Sequence, residues 1–461
     1  MNVKERNYLF LKGDIDRDDL WNKRLEYENK LHQFRFWFGL KELPLEPGLI
    51  FVRGPRQYGK STWLELALED TLRSFGPGSA FYLNGDEIPH HEALVIALEE
   101  IAALYPKQQK TRRLFIDEVT AISHWEKAFK IVLDRGVLRD VLVVTTGSKA
   151  PDIRRGTERL PGRKGRLGRT DYVFLPISFK SFIVDVGQNE VKNTGIDDLA
   201  LIYLISGGSP LALNELIQFE KIPEYFMTLV RDWILGEIVG SGRHRNSFLG
   251  ILKCLYQYAG TPVGYAKLAR ESGLANNTVA AGYIELLSDL FCVLPSPHWD
   301  SNKDIFIQRK PCKFHFTNLA AAVAFCGDEI RTIHDFKSLP QQKKAQFLEW
   351  LVAAELFRRN SLRDYFRSEE LGFYQSSQHE IDFVDNERNL YEVKLGKASP
   401  VEFSWMNRAL PNKKLQIISS TPFETETIRS QTLAQWLFEC PLDPWPYSGV
   451  SEWSPFELSE E

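Results

Sequence analysis

The sequence feature that most restricts how this chain can fold is a glycine-rich turn, Gly54-Pro55-Arg56-Gln57-Tyr58-Gly59-Lys60-Ser61. It follows a short apolar segment, 49–53, with the character of a β-strand, and it precedes a helix-like segment, 62–75. In that setting the glycines let backbone N–H groups approach phosphate oxygens, and the start of the helix adds positive potential. The turn therefore predicts a nucleotide phosphate site, and the flanking strand and helix argue against a chance match.

The polar residues of this turn have distinct expected roles. Lys60 is predicted to reach the β- and γ-phosphates as a catalytic residue, and Ser61 is predicted to ligate Mg²⁺. The residues predicted to bind nucleotide here are Gly54, Pro55, Arg56, Gln57, Tyr58, Gly59, Lys60, Ser61 and Thr62.

A second element downstream supports the same chemistry. Segment 114–118, Leu-Phe-Ile-Asp-Glu, has the form of a buried strand that ends in two carboxylates. Asp117 is predicted to hold Mg²⁺ through its water shell, and Glu118 to orient or deprotonate the attacking water. Thr146 or Ser148, at the end of the next strand, either senses the γ-phosphate or caps a turn. Strands that alternate with helices through this region predict a parallel sheet covered on both faces.

Together these motifs resemble the AAA+-like ATPases of bacteria and archaea related to the STAND group. The resemblance extends to Phe-Ile-Asp-Glu-Val at 115–119, Trp125, Thr-Thr-Gly-Ser at 145–148 and Leu-Pro-Ile-Ser-Phe at 175–179. It implies that the chain binds and hydrolyses ATP with Mg²⁺. It also implies that Gly208 and Pro210, within Gly-Gly-Ser-Pro, belong to a helical lid that touches adenine.

The arginine-rich segment 154–169 shows no periodicity and is predicted to be a loop. One arginine could act as an arginine finger, the cluster could contact nucleic-acid phosphates, or the segment could be a solvated loop. A solvated loop with one catalytic arginine is favoured. The resemblance places a Gly-Arg element here, which makes Arg163 or Arg169 the candidate.

Composition excludes several classes of protein. The 461 residues suggest about three domains, and a net charge of -4 gives no global signature of nucleic-acid binding. The five scattered cysteines contain no C-x-x-C pair, which argues against a zinc ribbon or redox motif and suits a reducing compartment. The N-terminus has no signal-peptide-like stretch, and no apolar run approaches the ~20 residues that span a bilayer. We therefore expect a cytoplasmic protein without membrane contact.

Segment 248–294 is predicted to be a winged helix. A short helix and turn at 265–274 precede a helix that Asn276 would cap, and such a pair can place its second helix in the major groove of DNA. That helix carries Tyr283 and Glu285 but no arginine or lysine, whereas DNA-reading helices usually supply cations. A structural or protein-contact role is therefore favoured over direct DNA readout.

The C-terminal region contains a second candidate site. Two strand-like segments, 379–384 and 390–394, are joined by a short turn that would bring Asp382, Glu392 and Lys394 close together. This pattern resembles the PD-(D/E)xK nuclease core. The resemblance implies that Asp382 and Glu392 bind Mg²⁺ and that Lys394 positions or activates water for phosphodiester cleavage.

The resemblance also calls for a glutamate on the upstream helix at 346–360, where Glu349 matches better than Glu355. In a related family, a Lys-x-Pro-Lys-x-Tyr-Phe-x-Asp segment links the winged helix to the nuclease-like part. This chain has Arg-Lys-Pro-Cys-Lys-Phe-His-Phe-Thr-Asn at 309–318, with Asn318 near the position where that family has aspartate. Acid–lysine pairs on adjacent strands also arise as ordinary salt bridges, and many domains of this shape only bind. Cleavage and binding therefore both stay open.

The predicted fold class is α/β, with a P-loop AAA+-like parallel sheet and helical lid, a winged-helix domain and an α/β restriction-endonuclease-like domain. The predicted domains are an N-terminal helical segment at 1–47 with a helix near 18–38, an ATPase core at 48–185, a helical lid at 186–243, a winged helix at 244–300 and a nuclease-like domain at 301–461. We expect ATP hydrolysis coupled to a domain that cleaves DNA, or else an ATP-switched module that binds nucleic acid or protein without cleavage. The expected cofactors are ATP and Mg²⁺, and the expected partners are DNA and either further copies of the chain or another protein.

Overall fold

The described residues of the computed structural model are 3–15, 19–148, 160, 162, 165–363, 370–440 and 454–456. They belong to two compact units, Met1–Leu175 and Pro176–Glu461. Arg163, one of the two candidates for an arginine finger, lies outside the described residues.

The first unit is built on a parallel sheet. Its strands are β1 (Gly48–Arg53), β2 (Ala80–Asn84), β3 (Arg113–Asp117), β4 (Leu142–Gly147) and β5 (Asp171–Val173). They lie in the order β2-β3-β4-β1-β5, and every neighbouring pair is parallel. Nearly every residue in them is buried, as expected for strands that helices cover on both faces. The predicted parallel α/β sheet is confirmed.

Two helices precede β1, and one helix follows each of β1, β2 and β3 along the chain. They are α1 (Val3–Lys12), α2 (Asp19–Glu28), α3 (Lys60–Phe75), α4 (His91–Leu104) and α5 (Trp125–Asp134). Between β1 and α5, the ring of Phe51 packs against Trp125 and Phe129, with centroids 5.5 and 6.3 Å apart. The apolar side chains of the strand are thus covered by an aromatic helix face.

The N-terminal segment departs from the predicted helix near 18–38, because α2 ends at Glu28 and residues 32–37 have no regular secondary structure. Phe34 and Phe38 are buried, and the Phe38 ring packs 5.0 Å from that of Phe174. Aromatic residues four positions apart share a face in an extended segment as well as in a helix. Here packing against the body of the unit decides for the extended form.

The second unit begins with helices and continues into mixed structure. Its helices are α6 (Phe179–Thr194), α7 (Ile196–Ser206), α8 (Pro210–Phe219), α9 (Glu224–Gly240), α10 (Arg245–Gln257), α11 (Tyr265–Glu271), α12 (Asn277–Asp289), α13 (Leu319–Phe325), α14 (Ile333–Lys337), α15 (Gln341–Arg363), α16 (Met406–Ala409) and α17 (Leu433–Phe438). The first four occupy most of the region predicted as a helical lid. The next three occupy the region predicted as a winged helix.

Two sheets complete the second unit. Its strands are β6 (Val293–Ser296), β7 (His298–Asp300), β8 (Ile305–Ile307), β9 (Lys313–Phe316), β10 (Gly372–Gln375), β11 (Glu380–Val384), β12 (Leu390–Val393), β13 (Leu415–Ile418), β14 (Phe423–Glu424) and β15 (Ile428–Gln431). β6 and β9 form an antiparallel pair, and the others form one sheet in the order β14-β15-β13-β12-β11-β10-β7-β8. β6 precedes residue 300 and β9 follows it, yet these two strands pair with each other. β7 and β8, which lie between them along the chain, belong to the large sheet.

The centre of the large sheet positions the second candidate site. β11 pairs with β12 in the antiparallel direction, and β12 pairs with β13 in the parallel direction. Along β11, Ile381 and Phe383 are fully buried. Because side chains alternate between the faces of a strand, Glu380 and Asp382 share the other face.

Candidate nucleotide site and acidic cluster

The backbone of the glycine-rich turn requires glycine at two places. A Cβ on Gly54 would lie 2.6 Å from the carbonyl oxygen of Phe174, which is closer than real contacts allow. Gly59, which immediately precedes α3, has a φ of 95°, a conformation that other residues rarely adopt. The close approach of Phe174 thus explains the glycine at position 54, and the backbone conformation explains the glycine at position 59.

Lys60 is the first residue of α3 and its side chain folds back over the turn. Its ammonium donates to the carbonyl oxygens of Gly54 at 2.8 Å and Pro55 at 2.7 Å. Burial lowers the pKa of Lys60 to about 8, while the carboxylates of Glu118 and Asp117 act in the opposite direction. This electrostatic interaction shows that the turn and the two acids after β3 are close in space.

Asp117 ends β3 and is held from the neighbouring strand. The hydroxyl of Thr146, in β4, donates to Oδ1 of Asp117. The backbone N–H of Glu118 lies 3.1 Å from both the Thr146 hydroxyl and Asp117 Oδ1. Thr146 therefore contacts the first acid directly, at the strand end where the sequence predicted either a sensor or a turn cap.

Glu118 is held by hydroxyl and backbone donors. Its Oε1 accepts from the backbone N–H and the hydroxyl of Ser148, both at 3.0 Å, and from the hydroxyl of Thr120. Burial alone would raise the pKa of Glu118, but the donors from Ser148 and Thr120 and the Lys60 charge more than offset it, so the pKa is lowered. Arg56 donates to the Ser148 hydroxyl at 3.2 Å, which links the glycine-rich turn to the acids.

The remaining predicted residues of this site are more scattered. The guanidinium of Arg169 lies 4.6 Å from the centroid of the Tyr172 ring, and its Nε donates to the Asp171 carbonyl at 3.1 Å. Gly208 and Pro210 belong to the second unit, where the Gly208 carbonyl accepts from Ile177 at 3.1 Å. Their predicted contact with adenine stays a prediction.

In the second unit, the three residues of the nuclease-like pattern come together. The backbone N–H of Asp382 donates to Glu392 Oε2 at 3.2 Å, and Asp382 Oδ2 accepts from the backbone N–H of Val393 at 3.0 Å. The ammonium of Lys394 lies 2.6 Å from Glu392 Oε1. Burial, followed by the charge of Asp382, raises the pKa of Glu392 to about 8.

Sequence reasoning missed the residue that dominates this site, Lys313 on β9. Its side chain is 1% exposed, and its ammonium lies 3.2 Å from Asp382 Oδ1, 3.9 Å from Glu349 Oε1 and in contact with Glu380. Burial favours the neutral amine, but these three carboxylates outweigh it and raise the pKa of Lys313. We call Glu349, Glu380, Asp382 and Glu392 the acidic cluster.

The two candidate helical glutamates have different surroundings. Glu349 lies in the acidic cluster, and burial and the Asp382 charge raise its pKa to about 8. Glu355 instead forms an ion pair with Arg358 at 2.7 Å and with Arg359 at 2.7 Å, and all three side chains are buried. Both carboxylate oxygens of Glu355 accept hydrogen bonds from these arginines, so the surroundings of Glu349 suit the predicted role better, and a catalytic role of either glutamate stays a prediction.

The predicted recognition helix, α12, begins where the sequence indicated. Asn276 accepts from the backbone N–H of Val279 at 3.0 Å and so caps the helix. Ala280 and Tyr283 are buried, so they belong to the packing of this region. Burial of these residues adds to the absence of basic residues on this helix as an argument against direct DNA readout.

The parallel sheet, the glycine-rich turn and the two acids after β3 lie in a part of the chain that matches the model of a known protein family. Residues 46–183 match the family described as an AAA domain. No curated protein matches the chain. Among the helices of the described residues, none combines the length and apolar character that crossing a bilayer requires.

Solved structures that the chain resembles are distant. A Walker-type ATPase of Pyrococcus abyssi is 12% identical, with a TM-score of 0.41, over 68% of this chain and 95% of that chain. The Aeropyrum pernix ORC1 protein, solved in complex with DNA, is 13% identical, with a TM-score of 0.34, over 62% of this chain and 87% of its own. AMPPCP-bound DnaA from Aquifex aeolicus is 15% identical, with a TM-score of 0.26, over 59% of this chain and 88% of its own.

Proposed function

We propose that the first unit binds ATP together with Mg²⁺ and hydrolyses it. The observation that carries the proposal is the shared edge of the parallel sheet. Lys60 follows β1, Asp117 ends β3 with Glu118 directly after it, and β4 lies between these two strands. The carboxyl ends of parallel strands meet at one edge, which is where ligands bind in open α/β sheets.

The surroundings of each residue support a role. Lys60 donates to two neutral loop carbonyls, which it would exchange for β- and γ-phosphate oxygens when ATP binds. The exposed hydroxyl of Ser61 and the carboxylate of Asp117 are the hard oxygen donors that suit Mg²⁺. Bound Mg²⁺ would neutralise charge on the phosphates. Glu118 would orient the attacking water after exchanging one of its hydroxyl partners for that water.

ATP binding and turnover by the full chain test this proposal. Lys60→Ala is expected to abolish ATP binding, and Glu118→Gln to bind ATP but hydrolyse it about 10²–10⁴-fold more slowly. Asp140→Asn is a matched control, because Asp140 is an exposed acid that precedes β4 at the opposite edge of the sheet, and its activity should equal wild type. Wild-type turnover by Glu118→Gln would remove that residue from its role, and undiminished ATP binding by Lys60→Ala would overturn the site.

For the second unit, the geometry favours a module that does not cleave. Metal-dependent cleavage needs Asp382 and Glu392 to hold a divalent cation. Asp382 Oδ1 is instead paired with Lys313, its Oδ2 accepts from Val393, and Glu392 is paired with Lys394. As arranged, these residues do not fit a divalent metal. In this proposal the second unit is an ATP-switched module that binds nucleic acid or protein without cleaving it.

A cleavage assay tests this part of the proposal. Plasmid and single-stranded DNA would be incubated with Mg²⁺ or Mn²⁺, with and without ATP, and with wild type, Asp382→Ala or Lys60→Ala. We expect ATP turnover by wild type but no cleavage above that of Asp382→Ala. Cleavage that Asp382→Ala loses would instead establish a nuclease, and its loss in Lys60→Ala would show that ATP controls it.

A further inference from the structure

We propose that Lys313 is the resident cation of the acidic cluster and that it excludes divalent metal ions from it. The inference rests on the proposal that the second unit does not cleave, and it assigns the cause to one side chain. It also predicts that removing this one charge converts the cluster into a metal site.

The first support is the position of the Lys313 ammonium. It contacts Glu380 and lies 3.2 Å from Asp382 Oδ1 and 3.9 Å from Glu349 Oε1. A divalent ion shared by these carboxylates would have to occupy the same space. Two cations cannot share it, because like charges at such distances inside a protein repel strongly.

The second support is burial. The Lys313 side chain is 1% exposed, and the Asp382 and Glu349 side chains are 16% and 14% exposed. Buried charges are tolerated when they are paired, and a carboxylate deprived of its partner keeps its desolvation penalty. The cluster therefore needs a cation, and in wild type this cation is the lysine.

An independent observation identifies the ligands that a replacement ion would find. His315, two residues along β9, is fully buried, and neither of its ring nitrogens has a hydrogen-bond partner among the described residues. Its Nδ1 lies 3.6 Å from Glu349 Oε1, an oxygen that also lacks a hydrogen-bond donor there. An imidazole beside carboxylates is a donor set that suits a transition metal such as Mn²⁺.

Mn²⁺ binding to the full chain without nucleotide tests the proposal, with free Mn²⁺ measured by electron paramagnetic resonance. Wild type and Lys313→Arg, which keeps the charge, are expected to have no Mn²⁺ site that depends on Asp382. Adding Asp382→Asn to either should therefore leave Mn²⁺ binding unchanged. Lys313→Met is expected to gain one site, with affinity at least about tenfold above any in wild type, because a like charge has been removed from its centre. That site should disappear in Lys313→Met/Asp382→Asn.

Two further variants serve as controls. Lys343→Met removes another lysine of the second unit, one paired at 2.6 Å with Asp328, and it should gain no Mn²⁺ site. If Lys313→Met does not fold, Lys313→Gln/Glu380→Gln removes the cation together with one of its carboxylates. Its thermal unfolding midpoint should rise with Mn²⁺, whereas that of wild type should not change.

Two results would overturn the proposal. One is a wild-type Mn²⁺ site that depends on Asp382, and the other is a folded lysine variant that gains no site. Both are measured without DNA, so they are separate from the cleavage assay. Wild type that binds Mn²⁺ at Asp382 but cuts no DNA would reject the role of Lys313 and leave the non-cleaving function standing. Wild type without such a site that still cuts would reject the function alone.

Discussion

The two candidate sites of this chain use the same residue types in opposite ways. In the first unit, Lys60 donates to backbone carbonyls, while Asp117 and Glu118 are held by hydroxyls and N–H groups. In the second unit, Lys313 is paired directly with the carboxylates. A lysine on neutral carbonyls can turn to a phosphate at modest cost, because a net hydrogen bond contributes only about 0.5–1.5 kcal/mol. A lysine in a buried ion pair cannot leave without exposing uncompensated charge.

The carboxylates show the same contrast. Neutral donors and the Lys60 charge together lower the pKa of Glu118 in spite of its burial. Burial and the neighbouring Asp382 raise the pKa of Glu349 and of Glu392 to about 8. The first site therefore lowers the pKa of its general-base candidate, whereas the second raises the pKa of two of its acids. This difference teaches that the partners of an acid, more than its place at a strand end, decide which chemistry it supports.

The largest expected effect that sharpens the comparison is on stability. Lys313→Met breaks a buried ion pair and should lower the free energy of unfolding by about 3–5 kcal/mol. Lys60→Met removes only hydrogen bonds to carbonyls and should lower it by about 1–3 kcal/mol. Urea unfolding followed by intrinsic fluorescence measures both. Equal losses would break the comparison, and Lys313→Met/Asp382→Asn should recover part of the larger loss.

A smaller effect is expected on the pH dependence of the free energy of unfolding. The folded-state pKa of Glu349 lies above its usual value, so the folded protein holds a proton that the unfolded chain releases. Its contribution to stability is thus fully present below about pH 4.5 and is lost as the pH rises towards about 8, by up to about 1.4 kcal/mol per pH unit. Glu349→Gln should flatten the pH dependence of unfolding in this window.

Glu118 is expected to have the opposite sign. Its pKa is lowered, so its contribution is present above the usual glutamate pKa and is lost as the pH falls through the folded-state value. Glu118→Gln should therefore change the slope of the free energy of unfolding against pH only on the acid side. A wild-type slope between about pH 4.5 and 8 that Glu349→Gln leaves unchanged would show that Glu349 is ionised there.

The smallest expected effect concerns the two hydrogen bonds that Ser148 donates to Glu118, one from its hydroxyl and one from its backbone N–H. Ser148→Ala removes the hydroxyl bond at 3.0 Å but keeps the backbone N–H bond. The loss of about 1 kcal/mol should change ATP turnover by less than about tenfold in either direction. Steady-state hydrolysis measures it, with Ser148→Thr as the variant that keeps the hydroxyl. A change as large as that of Glu118→Gln would place Ser148 in the chemistry itself.

Part of the nucleotide site could be predicted from the sequence, because its residues are close together along the chain. The glycine-rich turn is contiguous, and the strand before it and the helix after it have their own apolar patterns. The two acids come at the C-terminal end of β3, a buried strand whose apolar residues are equally visible in the sequence. The N-terminal aromatic residues show the limit, because their spacing suits both an extended segment and a helix, and only packing of Phe38 decided between these.

By itself, the sequence of this chain determined the turn between β1 and α3 and the acids at the end of β3, because each depends on residues adjacent along the chain. It also predicted a parallel sheet, because strands alternate with helices along it. Only the tertiary structure decided the state of the acidic cluster. Lys313 and Asp382 are 69 residues apart in sequence, so no local pattern indicates their pairing. Glu349 and Glu355 fit the same helix, but at about 100° per residue they point in different directions. Long-range packing placed Glu349 beside Lys313, whereas Glu355 pairs with Arg358 one turn further along the same helix, and this difference determines which charges are compensated.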